Sequence, residues 1–227
     1  MGCNDSRKGL TQEELALQDK EALLLLHQKY CEDLLFVVTF HARSGLLSTN
    51  GFKEAWVKLG LPAASEDFMR VMEGIRQDGG FDLHRLQLIC ILLGATRADS
   101  KPAALFTLYD TRDQLSLPVA QVETLCQDLL TACIIDLGRL ETSTRAQDYL
   151  SGLNKLRREF SQTMVESIMG ENETLAKEEF LAAFSKIGNA KYLSAGGLRA
   201  ALAEYKKNSS IGRFPKQVSS LSSLASK

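Results

Sequence analysis

The hydrophobic positions of this chain follow a unit that recurs four times. Each unit has an apolar helix end, a short polar turn, a lone apolar residue, four spacer residues and an apolar residue that opens the next helix. The lone apolar residues are Leu47, Phe81, Leu117 and Leu175. The first three follow one another at about 35 residues, a period typical of repeated helix–turn–helix units. The pattern therefore predicts four helix–loop–helix units.

The segments around these units also favour helix. Residues 11–14, Thr-Gln-Glu-Glu, form a capping box. The helix that it opens is expected to pass through Tyr30 and to extend as far as Phe40. A long helix-favouring stretch, 119–158, separates the third unit from the fourth. Leu198, Leu202 and Tyr205 then predict a short amphipathic helix that could cover a groove of its own lobe.

The predicted fold class is all-α, with the four units arranged in two lobes and short β-strands pairing the loops. Residues 1–10 form an N-terminal segment, 11–95 the first lobe and 96–205 the second. Residues 206–227 contain lysines, an arginine and many serines but no acid, a composition typical of a flexible basic tail.

These units resemble EF-hands, and the layout is similar to the calcineurin B-like and neuronal calcium sensor groups. Gly45 and Gly79 fall at loop position 6, where the turn of an EF-hand needs glycine. The lone apolar residues fall at position 8, which pairs neighbouring loops in that superfamily. Apolar residues follow position 12 in each unit: Phe52, Leu86, Val122 and Phe180. The resemblance implies four EF-hand-like units with degenerate calcium loops.

The calcium ligands that the resemblance calls for are mostly missing. EF-hand loops place oxygen ligands at positions 1, 3, 5 and 12, with a bidentate Glu last. Those positions hold, loop by loop, Phe40, Ala42, Ser44 and Gly51; Gly74, Arg76, Asp78 and Arg85; Asp110, Arg112, Gln114 and Gln121; and Ile168, Gly170, Asn172 and Glu179. Calcium binding is therefore not expected. The remaining candidate ligands are Asp110 and Gln114 in the third loop and Asn172 and Glu179 in the fourth.

Composition and charge exclude several other classes. The formal net charge of −1 gives no basic excess for nucleic acid and agrees with the loss of loop carboxylates. Five cysteines without a CxxC pair, and three histidines that do not cluster with them, argue against a zinc site. Four of the cysteines are expected to be small buried hydrophobic residues: Cys31, Cys90, Cys126 and Cys133.

The N-terminus carries a lipidation signal. Removal of Met1 would expose Gly2, with Ser6 at the position that the myristoyl-transferase motif requires. Cys3 beside it is a candidate for palmitoylation, and Arg7 and Lys8 would attract anionic lipid. The sequence therefore predicts a lipoprotein at the cytoplasmic face of a membrane.

Methionines favour adaptable grooves for partner helices. Five residues are candidates for such a groove: Trp56, Met69, Met72, Met164 and Met169. Each could equally be an ordinary core residue.

No hydrolase, phosphate-loop or metalloprotease motif occurs in the chain, and the pair His27 and Cys31 lacks a third orienting group. An enzyme is therefore not expected. The leading hypothesis is a membrane-anchored, largely calcium-independent EF-hand-like adaptor or regulatory subunit that binds a partner helix. Two alternatives remain: a calcium sensor that uses the third or fourth loop, and a structural component of a cytoskeletal or ciliary assembly.

Overall fold

The structure, a computed structural model, describes residues 9–62, 64–97, 100–186 and 188–210, and this part of the chain is mostly helical. Its eleven helices are α1 (Gln12–Leu23), α2 (Cys31–Phe40), α3 (Thr49–Lys58), α4 (Glu66–Gly74), α5 (Leu83–Leu93), α6 (Ser100–Tyr109), α7 (Val119–Thr131), α8 (Thr144–Asn154), α9 (Arg157–Met169), α10 (Lys177–Ser185) and α11 (Ala195–Ser210). The five strands are short: β1 (Leu46–Leu47), β2 (Arg76–Gln77), β3 (Gly80–Asp82), β4 (Ser116–Pro118) and β5 (Thr174–Ala176). The all-α prediction is confirmed. Among the described residues, no helix is both long enough and apolar enough to cross a bilayer.

The short strands join the helix–loop–helix units in pairs. Strands β1 and β3 are antiparallel, with Leu47 opposite Phe81, and β2 lies on the other side of β3. Strands β4 and β5 are antiparallel, with Leu117 opposite Leu175. All four side chains are buried. The loops therefore pair in the register that the lone apolar positions predicted.

The core is continuous through both halves of the chain. In the first half, Phe52 lies 4.5 Å from Trp56 and 5.6 Å from Phe81 between ring centroids. In the second half, Phe106 and Phe180 make the corresponding contact at 5.6 Å. The predicted lobes also touch each other, because α1 packs against α8 and α11 while α4 packs against the turn at 137–140.

A buried arginine joins the first helix to the last. Arg199 of α11 is fully buried and donates two hydrogen bonds to Glu14, from Nε and Nη2, both 2.9 Å long. Its Nη1 donates to Glu21 at 2.7 Å and to the carbonyl of Cys133 at 3.0 Å. Tyr149 Oη of α8 donates to Glu14 at 3.3 Å. Three helices and the turn after α7 are thus held by one polar network.

The first helix is shorter than the sequence predicted. Thr11 caps it as expected, accepting a hydrogen bond from the Glu14 N–H at 3.3 Å, but it ends at Leu23. Leu25 then takes a left-handed conformation with φ 59°. Around residue 30 the backbone pairs with Ala95, which accepts from the Cys31 N–H at 2.9 Å and donates to the Lys29 carbonyl at 2.7 Å. These hydrogen bonds hold 29–31 extended, so α2 begins as a separate helix.

The stretch 119–158 is likewise divided. α7 ends at Thr131. A π-helical turn over 132–136 and a 3-10 turn over 137–140 follow, and α8 and α9 come next. Asp136 in this irregular region is fully buried and accepts two hydrogen bonds from the Arg85 guanidinium, from Nη2 and, at 3.1 Å, from Nε. The pair links α5 of the first half to the second half.

Candidate functional site

Helix α2 is apolar on two sides. One side, with Cys31, Leu34 and Val37 among its residues, is buried in the core. On the other side Phe36 and Phe40 are each 66 % exposed, and their rings stack with centroids 6.3 Å apart. Large apolar side chains that stay exposed next to one another on a helix are typical of an interaction surface.

Helix α6 faces this aromatic pair with small side chains. Ser100, Ala103, Ala104 and Thr107 lie at the spacing of one helix face, while Leu105 and Phe106 point into the core. Thr107 Oγ1 donates to the Ala103 carbonyl at 3.0 Å, so its hydroxyl is satisfied within the helix. The α2 wall therefore has large side chains and is called the bulky wall, and the α6 wall has small ones and is called the low wall.

The space between these walls is a groove of about 800 Å³, floored by Gln87 and Ile91 of α5. Gln87 Nε2 donates to Thr39 Oγ1 at 2.9 Å and ties the floor to the bulky wall. We call this the α2–α6 groove. Its lining residues are Glu32, Leu35, Phe36, Thr39, Phe40, Gln87, Ile91, Ser100, Ala103, Ala104, Thr107 and Leu108.

Among the described residues that line the groove, one is charged, and it is Glu32. Burial acts to raise the pKa of Glu32, but backbone hydrogen bonding, the Cys31 thiol, Ser100 and Arg97 together hold that pKa below its usual range. Glu32 is therefore ionised at neutral pH. The groove is an apolar trough with a single carboxylate at one end, which suits the burial of the apolar face of a helix.

A buried lysine fixes the low wall from behind. Lys101 of α6 is only 7 % exposed, and its Nζ donates to the carbonyls of Leu92 at 3.2 Å and Leu193 at 3.0 Å. It thus connects the start of α6 to the end of α5 and to the turn before α11. Burial lowers the pKa of Lys101 to about 8, with the nearby Cys31 acting in the opposite direction.

This shift predicts a pH dependence of stability. Between pH 8 and 10.5 the unfolded chain binds the Lys101 proton more tightly than the folded chain, so the free energy of unfolding should rise with pH. Burial raises the pKa of Cys90, Cys126 and Cys133 to about 12, so above about pH 9 the unfolded thiols lose protons first and stability should fall. Maximum stability is therefore expected near pH 8–9.

Urea unfolding of wild type and Lys101→Met at pH 7, 8 and 9 isolates the lysine contribution. The stability difference should change in favour of wild type by about 1 kcal/mol between pH 7 and 9. A pH-independent difference would mean that the Lys101 amine titrates alike in both states.

The structure places the predicted groove residues elsewhere, in the core. Trp56 is 5 % exposed and its ring stacks on Phe68 with centroids 4.9 Å apart. Met72, Met164 and Met169 are buried, and Met69 is half-buried against the same core. None of the five lines the α2–α6 groove.

Two of the four candidate calcium ligands, Asp110 and Glu179, have carboxylates that accept backbone hydrogen bonds. Both carboxylate oxygens of Asp110 accept backbone N–H bonds at 2.9 Å, from Gln114 and Leu115. The Glu179 carboxylate accepts from the Ala176 N–H at 2.9 Å. Within the described ranges no three His, Cys, Asp or Glu side chains are grouped so as to hold a metal ion.

The remaining predicted residues fall into three cases. Gly2 and Cys3 lie outside the described residues. Four cysteines are free and buried, as predicted: Cys31, Cys90, Cys126 and Cys133. Cys31 Sγ contacts Glu32 and Ser100, whereas His27 lies exposed in the preceding turn, so the two do not form a dyad.

The sequence pattern placed Phe36 and Phe40 at an apolar helix end, with Phe40 also at position 1 of the first loop, and did not reveal the surface they form. A signal was present, because seven of the ten residues in α2 are apolar or cysteine, more than one helix face can bury. The low wall on α6 gave no such signal, since alanine, serine and threonine are ordinary surface residues.

Comparisons with protein-family models, with curated proteins and with solved structures give no match for this chain.

Proposed function

We propose that this protein is a membrane-anchored adaptor of the EF-hand type, whose α2–α6 groove binds an amphipathic helix of a partner protein. The observation that carries the proposal is the groove itself. Two phenylalanines, each 66 % exposed, face a wall of small residues across a trough of about 800 Å³. Leaving such a surface in water is unfavourable, and burying an apolar helix face against it removes that cost.

Assignment to the EF-hand superfamily is supported by the loop geometry. Each loop contributes one buried apolar residue to an antiparallel contact, Leu47 with Phe81 and Leu117 with Leu175. Gly45 and Gly79 have φ values of 78° and 99°, a left-handed conformation that glycine adopts without strain. These features agree with the loop positions assigned from the sequence.

Independence from calcium is supported by what the loop residues do instead. At loop position 12, where calcium needs a bidentate Glu, the second unit has Arg85, which is paired with Asp136. In the third loop Arg112 would stand close to any bound cation and oppose it. The loops of this protein therefore serve to connect and pair the helices.

Membrane anchoring rests on the N-terminal sequence. Gly2 and Ser6 match the myristoylation motif and Cys3 supplies a second acylation position. An anchored protein with an exposed helix-binding groove would recruit its partner to the membrane surface.

The groove hypothesis is tested with a helical peptide from a partner captured on the wild-type protein. Phe36→Ser should weaken peptide binding about ten- to hundredfold, because one large apolar contact is lost. Ala104→Leu should weaken it as well, by filling the low wall. Isothermal titration calorimetry measures both effects, and urea unfolding confirms that each variant is folded.

Val57→Ser is the matched control, since Val57 is 78 % exposed on α3 and does not line the groove. It should bind the peptide like wild type. Equal affinity for wild type, Phe36→Ser and Ala104→Leu would place the peptide elsewhere and reject the groove as the binding site.

A further inference from the structure

The two walls of the α2–α6 groove start at the same end. Cys31 Sγ, in the first residue of α2, lies 3.5 Å from Oγ of Ser100, the first residue of α6. Both helices run antiparallel to α5. The Cys31 N–H, at the start of α2, bonds to Ala95 just after the end of α5. Tyr109, at the end of α6, contacts His84 near the start of α5. Helices α2 and α6 are therefore parallel, and their N-termini form one end of the groove.

The backbone dipoles of the two walls, taken without their side chains, favour negative charge at that end. The N-terminus of each helix carries about half a positive charge from its aligned peptide dipoles. The C-terminus of a bound helix carries about half a negative charge. A helix that lies antiparallel to both walls would place its C-terminus against two N-termini, and a parallel helix would place like ends together.

Glu32 and Asp33 lie in the first turn of α2 and offset the dipole of that helix, so the charged side chains of an occupant determine its direction. Glu32 is the ionised carboxylate at the N-terminal end of the groove, and Asp33 follows it on the surface. At the opposite end, Lys58 Nζ lies 4.6 Å from the centre of the Phe40 ring. Arg97 lies near Glu32, and Glu54 lies 3.3 Å from His41 Nδ1 at the opposite end. The first end therefore has an excess of acid, and the second has one lysine and one carboxylate. Helices commonly carry bases in their last turn and acids in their first, which matches this arrangement only in the antiparallel direction.

The side chains of the two walls differ in size, and this difference determines where the large side chains of an occupant would lie. Ala103 and Ala104 leave room above α6, whereas Phe36 and Phe40 project from α2. Large aliphatic or aromatic residues of the occupant, at spacings of three and four, would fill the space above the alanines.

From these observations, and on the basis of the proposed function, we infer that the partner helix binds antiparallel to α2 and α6. Lysine or arginine in its last turn contacts Glu32, and a stripe of large apolar residues covers Ala103 and Ala104. The partner class is thus an amphipathic helix with a basic C-terminal turn.

The probe is a synthetic peptide of about five helical turns. It carries leucines at every third or fourth position, glutamates in the first turn and lysines in the last. One version has a nitroxide at its C-terminus and a second version has it at its N-terminus. The label is on the peptide, so the full-length protein keeps its cysteines. Paramagnetic broadening of the protein amide signals then reports the direction of the bound peptide.

The C-terminal label should broaden the amides near Glu32 and spare those near Phe40, and the N-terminal label should do the reverse. Glu32→Gln should weaken binding about two- to fivefold. Asp33→Asn, which removes the same charge from the adjacent surface position, should have a smaller effect. The opposite broadening pattern, or equal effects of the two substitutions, would overturn the inference while leaving helix binding in the groove intact.

Failure of the proposed function gives a different result. The peptide would then not bind, or its broadening would lie outside the groove and would not respond to Phe36→Ser. That outcome rejects the inference together with the function on which it rests.

Discussion

Replacing Arg199 by alanine is expected to lower the free energy of unfolding by about 3–5 kcal/mol. Arg199 is fully buried between Glu14 and Glu21, so the substitution leaves two carboxylates in the interior without their cation. Burial alone would lower the pKa of Arg199, but Glu21 and Glu14 raise that pKa well above its ordinary value. The arginine therefore stays charged, and its loss is a loss of charge compensation as well as of volume.

Urea unfolding followed by circular dichroism measures the effect. Lys207→Ala removes an exposed cation from the same helix and should change stability by less than about 1 kcal/mol. A triple variant, Arg199→Met with Glu14→Leu and Glu21→Leu, should recover much of the loss, because apolar replacement of a whole buried ion group is often neutral or stabilising. An Arg199→Ala protein as stable as Lys207→Ala would show that water reaches the network.

Substitution of Gly2 by alanine is expected to release the protein completely from membranes in cells. The change prevents myristoylation, and without that first lipid the chain does not reach the membrane for palmitoylation of Cys3. Myristate alone provides an association constant of about 10⁴ M⁻¹, enough for brief contact. Palmitate adds about 0.8 kcal/mol for each buried CH₂ and makes the attachment stable.

Membrane fractionation with mass spectrometry of the N-terminal peptide measures both the distribution and the lipids. Cys3→Ser should leave a partly soluble population, because one lipid remains. Asn4→Ala is the control, since position 4 is free in the motif. Gly2→Ala protein that lacks both lipids and still sediments with membranes would mean that a membrane-bound partner holds it there.

Local signals in the sequence determined the helical class and the register of the loops. Thr11 starts α1 because its side chain satisfies an N–H that the first turn leaves free, a short-range effect visible in the sequence. Leu47, Phe81, Leu117 and Leu175 pair because each is a lone apolar residue between two helices and must be buried. The cap acts within one turn, and each lone apolar position is recognised from its neighbours in sequence, although the pairs join residues 34 and 58 positions apart.

The break in the first predicted helix depended on a distant segment. No glycine or proline marks the interruption at Leu25, so local propensity favours an unbroken helix. Hydrogen bonds to Ala95 hold residues 29–31 extended, and these form only once α5 is in place. The tertiary contact thus outweighs the helical preference of the local sequence.

The location of the candidate site was likewise decided by tertiary structure, although the apolar composition of α2 gave a signal in the sequence. Trp56 and the methionines are indistinguishable in sequence from groove residues, but the aromatic cluster around Phe52 buries Trp56 in the core. Phe36 and Phe40 stay exposed because the other side of α2 already fills the space against α5. Whether a side chain is buried depends on which face of its helix packs against a neighbouring helix. The neighbouring helices come from segments that lie far apart in the chain.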